Sequence, residues 1–214
     1  MSTKPSNKSI RIVQYMHGKY DYFRWSERIN EHYCRRHGYD YTIARNAPRD
    51  DRHIVWQKVP TILDQLHDCD YLLFMDADAV FYSQELRVEE ELIPLLGDKS
   101  ILMAQDVMSE QWRWHPGLPN TGVILMRVND VVREYVDYWN KSSDIDPKTR
   151  WTWPPEQIAL WEMVMPKYPN VLNVHDEYYL IQGRFGNYIR HFLMMEDKWR
   201  CHYMKELCQS RGIS

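Results

Sequence analysis

Two aspartates one residue apart, Asp76 and Asp78, follow the unbroken apolar run Tyr71-Leu72-Leu73-Phe74-Met75. Carboxylate oxygens are hard ligands that suit Mg²⁺ or Mn²⁺, ions that usually keep open positions for substrate phosphates. An apolar run of this kind suits a central strand covered on both faces, and ligand sites of open α/β sheets lie outside the carboxyl ends of such strands. Two buried acids without partners are costly, so a divalent cation is a natural way to hold them there. The small Ala77 and Ala79 on either side of Asp78 would let a bulky ligand approach the backbone. The competing reading is a helix cap or a turn, which also favours aspartate.

The composition narrows the class. A chain of 214 residues with 44% apolar content fits one domain with a substantial core. A net charge of −3 gives no support to a nucleic-acid binder. The chain holds 9 Trp and 15 Tyr, side chains whose exposed faces suit ring-shaped ligands such as sugars and bases. Cys34, Cys69, Cys201 and Cys208 lack the pairing of a zinc site and read as free thiols of a reducing compartment. No stretch reaches the length of a membrane span and the polar start has no signal-like apolar core, so a cytoplasmic protein is expected.

The elements that must position the aspartates follow from periodicity and punctuation. Residues 1–9 are expected to be disordered and residues 10–214 to form a single domain. Strands are expected at 9–16, 39–44, 71–75, 101–104, 120–127 and 171–174. Helices are expected at 22–36, closed by Gly38, at 55–66, partly over 86–96, at 131–140 and at 156–165 behind Pro154-Pro155. Residues 46–52, 109–119 and 142–155 read as connections. Alternating strands and helices predict an α/β fold with a Rossmann-like, mostly parallel central sheet flanked by helices.

Six separated segments resemble one family pattern, in order, over about residues 10–195. The run His32-Tyr33-Cys34-Arg35-Arg36-His37-Gly38-Tyr39-Asp40-Tyr41 resembles a signature of the galactosyltransferase and mannosyltransferase family that includes plant xyloglucan xylosyltransferases and yeast mannan enzymes. Trp56-Gln57-Lys58-Val59-Pro60 resembles that family's "W.K.P" helix, and residues 74–80 its metal-binding strand. Asn120-Thr121-Gly122-Val123, Glu156-Gln157 and His191-Phe192 resemble its remaining motifs. The sequence is also similar to an N-terminal glycosyltransferase domain encoded by chloroviruses, where such enzymes glycosylate capsid protein.

The resemblance implies the GT-A fold, a UDP-sugar donor, a glycan acceptor, retention of anomeric configuration and a bound Mn²⁺ or Mg²⁺. It implies that Asp78 binds the metal directly, that Asp76 contacts the ribose and the metal or its waters, and that His191 supplies the third protein ligand. The family's late Gly-x-x-Lys-Pro-Trp is missing, which leaves Lys198, Arg190 and Lys58 as candidates for the diphosphate. A viral enzyme would work in the host cytoplasm, as a monomer or as part of a larger multi-domain chain.

Other residues take places in this scheme. Gln14, Tyr15 and His17 end the first strand, where a nucleotide base would sit with an aromatic available for stacking. Asp106 follows another strand, where it either binds donor hydroxyls or caps a turn. Asn120 and Gly122 either present an amide and bare backbone to the sugar or make a turn. Gln157 opens a helix, and with Asp78 and Asp106 it is expected to carry the reaction. Trp112, Trp114, Trp151 and Trp153 either anchor loops or form a wall on which an acceptor ring stacks. The rival from another class is a haloacid-dehalogenase-type phosphatase, which also uses Asp-x-Asp after an apolar strand. It would place that strand near the domain start and add a late acidic cluster, and neither is present. A non-catalytic sugar-binding module is the third reading.

Overall fold

The computed structural model describes residues 8–46, 49–106 and 117–213. Six strands form the central sheet: β1 (Ile10–Tyr15), β2 (Asp40–Ala44), β3 (Tyr71–Asp76), β5 (Ile101–Gln105), β6 (Pro119–Arg127) and β7 (Leu172–His175). Their order is β2-β1-β3-β6-β5-β7. A two-stranded ribbon joins β4 (Ala79–Phe81) to β8 (Ile189–His191). The sheet is mostly parallel, and β6 runs against both of its neighbours. That reversal has a consequence for chemistry. It brings the start of β6 to the edge where β1, β3 and β5 end, with Val123 opposite Met75 and Pro119 opposite Gln105.

The helices that matter to this edge are α1 (Phe23–His37), α2 (Lys58–Gln65), α3 (Asp130–Ile145), α4 (Pro155–Ala159) and α5 (Asp197–Arg211). Gly38 ends α1 at φ 72°, where its N–H closes on Cys34 O, and Arg35, Arg36 and His37 complement the helix dipole. The Asn129 side chain accepts from Val132 N at 2.9 Å and starts α3. The expected helix over 55–66 begins as a tight 3₁₀ turn, Ile54–Gln57, before α2. The expected helix over 156–165 is α4 followed by a π-helical turn, Leu160–Val164.

Strand β3 is buried on both faces, as its unbroken apolar run requires. Leu73 and Met75 join one core cluster with Ile12, Tyr33 and Leu125, while Leu72 and Phe74 join another with Trp56, Ile124 and Trp139. Each of these fully buried side chains contributes roughly 1.5–3 kcal/mol of transfer free energy. A third cluster packs α5 against α1 through Met204, Leu207, Ile29 and Phe23. Ser9 sits just before β1, where its N–H and hydroxyl both reach Asp70 Oδ2 at 2.8 and 2.9 Å. Ribbon strands β4 and β8 and helix α5 were not among the elements expected from periodicity. Among the described residues, no helix is long and apolar enough to cross a membrane.

Candidate active site

The end of β3 carries Asp76, and the turn into β4 carries Ala77 and Asp78. Opposite them, β8 pairs with β4 in the register Ala79 to His191, and Phe192 N donates to Asp78 O at 3.0 Å. Asp76, Asp78 and His191 thus offer three ligand atoms within 4.8 Å of one another. His191 Nε2 lies 3.2 Å from Asp78 Oδ1 and 3.7 Å from Asp76 Oδ2. Asp78 and His191 are buried, and Asp76 keeps 28% of its side chain exposed, which leaves an open side.

The electrostatics are those of a site built for charge. Burial alone would raise the Asp78 carboxyl, but His191 and Arg200 outweigh it and hold it down at about 2. Burial likewise works against the charged imidazole of His191, yet Asp78 and Asp76 raise its pKa above the usual histidine value. Two carboxylates facing an imidazole nitrogen at these spacings form a donor set that fits a divalent cation, with Asp76 facing solvent for further ligands.

The glycine of the Asn120-Thr121-Gly122 segment has a specific task. A Cβ at Gly122 would lie 2.1 Å from His191 Cε1 and 2.5 Å from His191 Nδ1. Gly122 therefore makes room for the histidine ring. Asn120 Oδ1 accepts from Gly122 N at 2.9 Å and its amide reaches Asp106 Oδ2 at 3.3 Å.

A second polar cluster abuts the first. Gln157 Nε2 donates to Asp106 Oδ2 at 2.8 Å, and its carbonyl accepts from Thr121 N at 3.1 Å. Both Gln157 and Asp106 are buried, so the glutamine holds the aspartate in place. Lys58 Nζ sits 2.8 Å from Asp76 Oδ1 and 3.4 Å from Glu156 Oε1. Buried indoles fix the segment that delivers Glu156 and Gln157: Trp139 Nε1 donates to Glu156 O and Trp56 Nε1 to Thr149 O.

Several expected ligand contacts are placed differently. Gln14 is fully buried, with its amide nitrogen on Asp76 O at 2.9 Å and Ala79 O at 3.1 Å. It shapes the turn from beneath and has no open face for a nucleotide. Lys58 is likewise walled in under Asp76. Lys198 is exposed and paired with Glu196 at 2.7 Å, and Arg190 lies against the Tyr82 ring at 3.3 Å. The cation from this segment that reaches the candidate metal ligands is Arg200, 3.0 Å from Asp78 Oδ2. Sequence reasoning missed it. The available signal was a basic residue one helical turn from Asp197, just past the position where a lysine was sought. Tyr15 and His17 stand with parallel rings 6.3 Å apart at the end of β1. Trp151 and Trp153 are 60% and 66% exposed and flank the His53 ring. Trp112 and Trp114 lie outside the described residues.

Comparison with known proteins gives this geometry a context. Residues 14–188 match the model of the galactosyl transferase GMA12/MNN10 family. No curated protein matches the sequence. Among solved structures, the chain is similar to a glycosyltransferase involved in the glycosylation of the major capsid of PBCV-1, at 18% identity and TM-score 0.74, over 92% of this chain and 99% of that one. It is also similar to the glycosyltransferase GlyE of Streptococcus pneumoniae TIGR4, at 13% identity and TM-score 0.57, over 97% of this chain and 64% of that one. The galactosyltransferase LgtC, solved in complex with donor and acceptor sugar analogs, matches at 13% identity and TM-score 0.53, over 94% and 95%. These likenesses show the fold, a GT-A fold.

Proposed function

The chain belongs to the galactosyl transferase GMA12/MNN10 family, and on that premise we propose that this glycosyltransferase is metal-dependent and moves a hexose or deoxyhexose from a UDP-sugar to a glycan acceptor with retention. The observation that carries the reading is the convergence of Asp76, Asp78 and His191 at the carboxyl edge of the sheet. Asp76, Asp78 and His191 would hold the ion, Mn²⁺ or Mg²⁺. Once bound, the ion supplies Lewis-acid neutralisation of the charge that develops on a departing diphosphate.

The chain's own residues do the rest. Tyr15 and His17 offer ring faces at the end of β1 for the base. Asp106, held by Gln157 and Asn120, stands at the end of β5, where a carboxylate can accept from sugar hydroxyls and fix the donor ring. The acceptor hydroxyl must then approach the anomeric carbon from the face shared with the leaving diphosphate, as retention requires. A viral role in the host cytoplasm, with a capsid glycan as acceptor, is the biological setting that the sequence resemblance supports.

The test is a donor panel. Nucleotide-sugars are incubated with the protein and Mn²⁺, and released nucleotide diphosphate is measured alongside the anomeric configuration of the product by NMR. UDP release that stops with excess chelator and returns with Mn²⁺ is expected. Undiminished release in chelator refutes the metal dependence, and an inverted product refutes retention. The phosphatase reading is excluded by the family and the fold.

A further inference from the structure

Each aspartate of the pair divides its two oxygens in the same way. Asp78 turns Oδ1 toward His191 Nε2 and Oδ2 toward Arg200 Nη2, at 3.2 and 3.0 Å. Asp76 turns Oδ2 toward His191 Nε2 and Oδ1 toward Lys58 Nζ, at 3.7 and 2.8 Å. The inner oxygens face one shared point, and each outer oxygen is held by its own cation.

Both cations are themselves fixed. Lys58 Nζ also lies 3.4 Å from Glu156 Oε1, 3.3 Å from Thr121 O and 3.4 Å from Thr121 Oγ1. Its side chain is only 7% exposed, and its charge is secured because Asp76 and Glu156 overcome the cost of burial. Arg200 uses Nη1 on Asp197 Oδ1 at 2.9 Å and Nε on Phe192 O at 3.2 Å. Every nitrogen of its guanidinium is therefore committed, and its plane cannot swing without breaking a contact. Phe192 directly follows His191, so one arginine braces both the carboxylate and the strand that bears the histidine.

We propose that Lys58 and Arg200 are the positioning residues of the metal centre. They set the rotamers of Asp76 and Asp78 from opposite sides, so that the inner oxygens stand at ligand spacing before an ion arrives. Through Arg200, helix α5 becomes part of the centre. The inference rests on the metal-dependent reading above. Hydrogen-bonded partners of metal-ligating carboxylates act in this way, and their loss commonly weakens metal binding about ten- to a hundredfold.

Simple electrostatics predicts the opposite sign, which makes the idea decidable. A cation beside a dication repels it, so deleting a cation that only neutralises or competes for Asp78 would strengthen metal binding. The experiment titrates the full chain with Mn²⁺ alone and reads free Mn²⁺ by electron paramagnetic resonance, with thermal melting as a control for folding. Arg200→Met is expected to bind Mn²⁺ about ten- to a hundredfold more weakly than the unsubstituted chain while still melting cooperatively. Arg200→Lys, which keeps the charge but not the fork, is expected to fall between the two. Lys58→Met is expected to weaken Mn²⁺ as well. Should that buried change prevent folding, the two Arg200 variants decide alone, since α5 keeps Met204, Leu207 and Cys208 in the core. Equal or tighter Mn²⁺ binding by Arg200→Met overturns the proposal. Failure of the unsubstituted chain to bind Mn²⁺ would overturn the metal reading itself, a result recognisable before any variant is made.

Discussion

The candidate metal site joins two regions built on different plans. The segment 71–81 is a strand, a tight turn and a second strand, and its two aspartates are neighbours in sequence and in space. The segment 189–211 holds a three-residue strand and helix α5, and it delivers His191 and Arg200 by docking against β4 and α1. The first region is placed by burial in the middle of the sheet. The second is placed by a short ladder, one glycine-sized gap, the apolar docking of α5 and a few charged hydrogen bonds. A site assembled in this way has one rigid wall and one wall whose position depends on contacts that single substitutions can remove.

The largest expected effect comes from the rigid wall. Asp78→Ala removes a ligand while β3 stays buried, so transfer should fall by about a thousandfold or more, the several kcal/mol assigned to metal-supplied charge stabilisation. Cooperative melting should persist at a lowered temperature, because His191 and Arg200 lose their carboxylate partner. Retained transfer would break the comparison by showing that the aspartates are only a turn.

Gly122→Ala tests the other wall. The added methyl would overlap His191, so the histidine strand must shift. Overpacking of this kind costs about 1–3 kcal/mol of stability, and Mn²⁺ affinity should fall with it. Unchanged Mn²⁺ binding would mean that His191 is not held where its ring contacts this glycine.

A pH titration sharpens the same point with a smaller effect. The folded pKa of His191 is raised above the unfolded value of about 6.5. Its contribution to the stability of the metal-free protein is therefore fully present below that value and lost as pH rises through the folded pKa. Asp78, held at about 2, stays charged throughout this window. Mn²⁺ binding must show the inverse trend, because the ion competes with the proton on the imidazole. His37 is shifted the other way by burial, so the comparison is made against His191→Gln. A metal-free melting temperature with the same pH dependence in both proteins would count against the geometry.

The smallest effect asks whether anything beyond the two walls contributes. Trp153 is 66% exposed, so Trp153→Ala should change stability by no more than about 0.5 kcal/mol. If its indole is an acceptor platform, the acceptor KM should rise while slow hydrolysis of the donor continues. Parallel loss of both activities would return the residue to loop anchoring.

The rigid wall was the legible one. A five-residue apolar run, two acids and a glycine-closed helix carry strong local signals, and β1, α1, β3 and β5 fall within a residue or two of their expected ends. The second wall was not. His191 was reached through a family motif alone, because a three-residue strand has too few positions to show a period. Helix α5 mixes tryptophan, histidine and lysine around its whole circumference, which blurs the apolar stripe that marks a helix. Contacts such as Gln14 to Asp76 or Arg200 to Asp78 are hidden for a different reason. They depend on which buried atoms meet after folding, and residue type gives no hint of that. The packing of Gly122 against His191 is hidden on the same ground, since a missing side chain says nothing about what fills the space.

The pairing of Ala79 with His191 also imposes an order in time. During synthesis the N-terminal part of a chain emerges first, and domains gather their structure as residues become available. The two aspartates of this protein are made long before the histidine and the arginine that complete their surroundings. Closing so long a loop carries an entropic cost that only the final contacts offset. The nascent chain therefore carries a half-built acidic pocket until helix α5 leaves the ribosome, and the three candidate ligands meet only then.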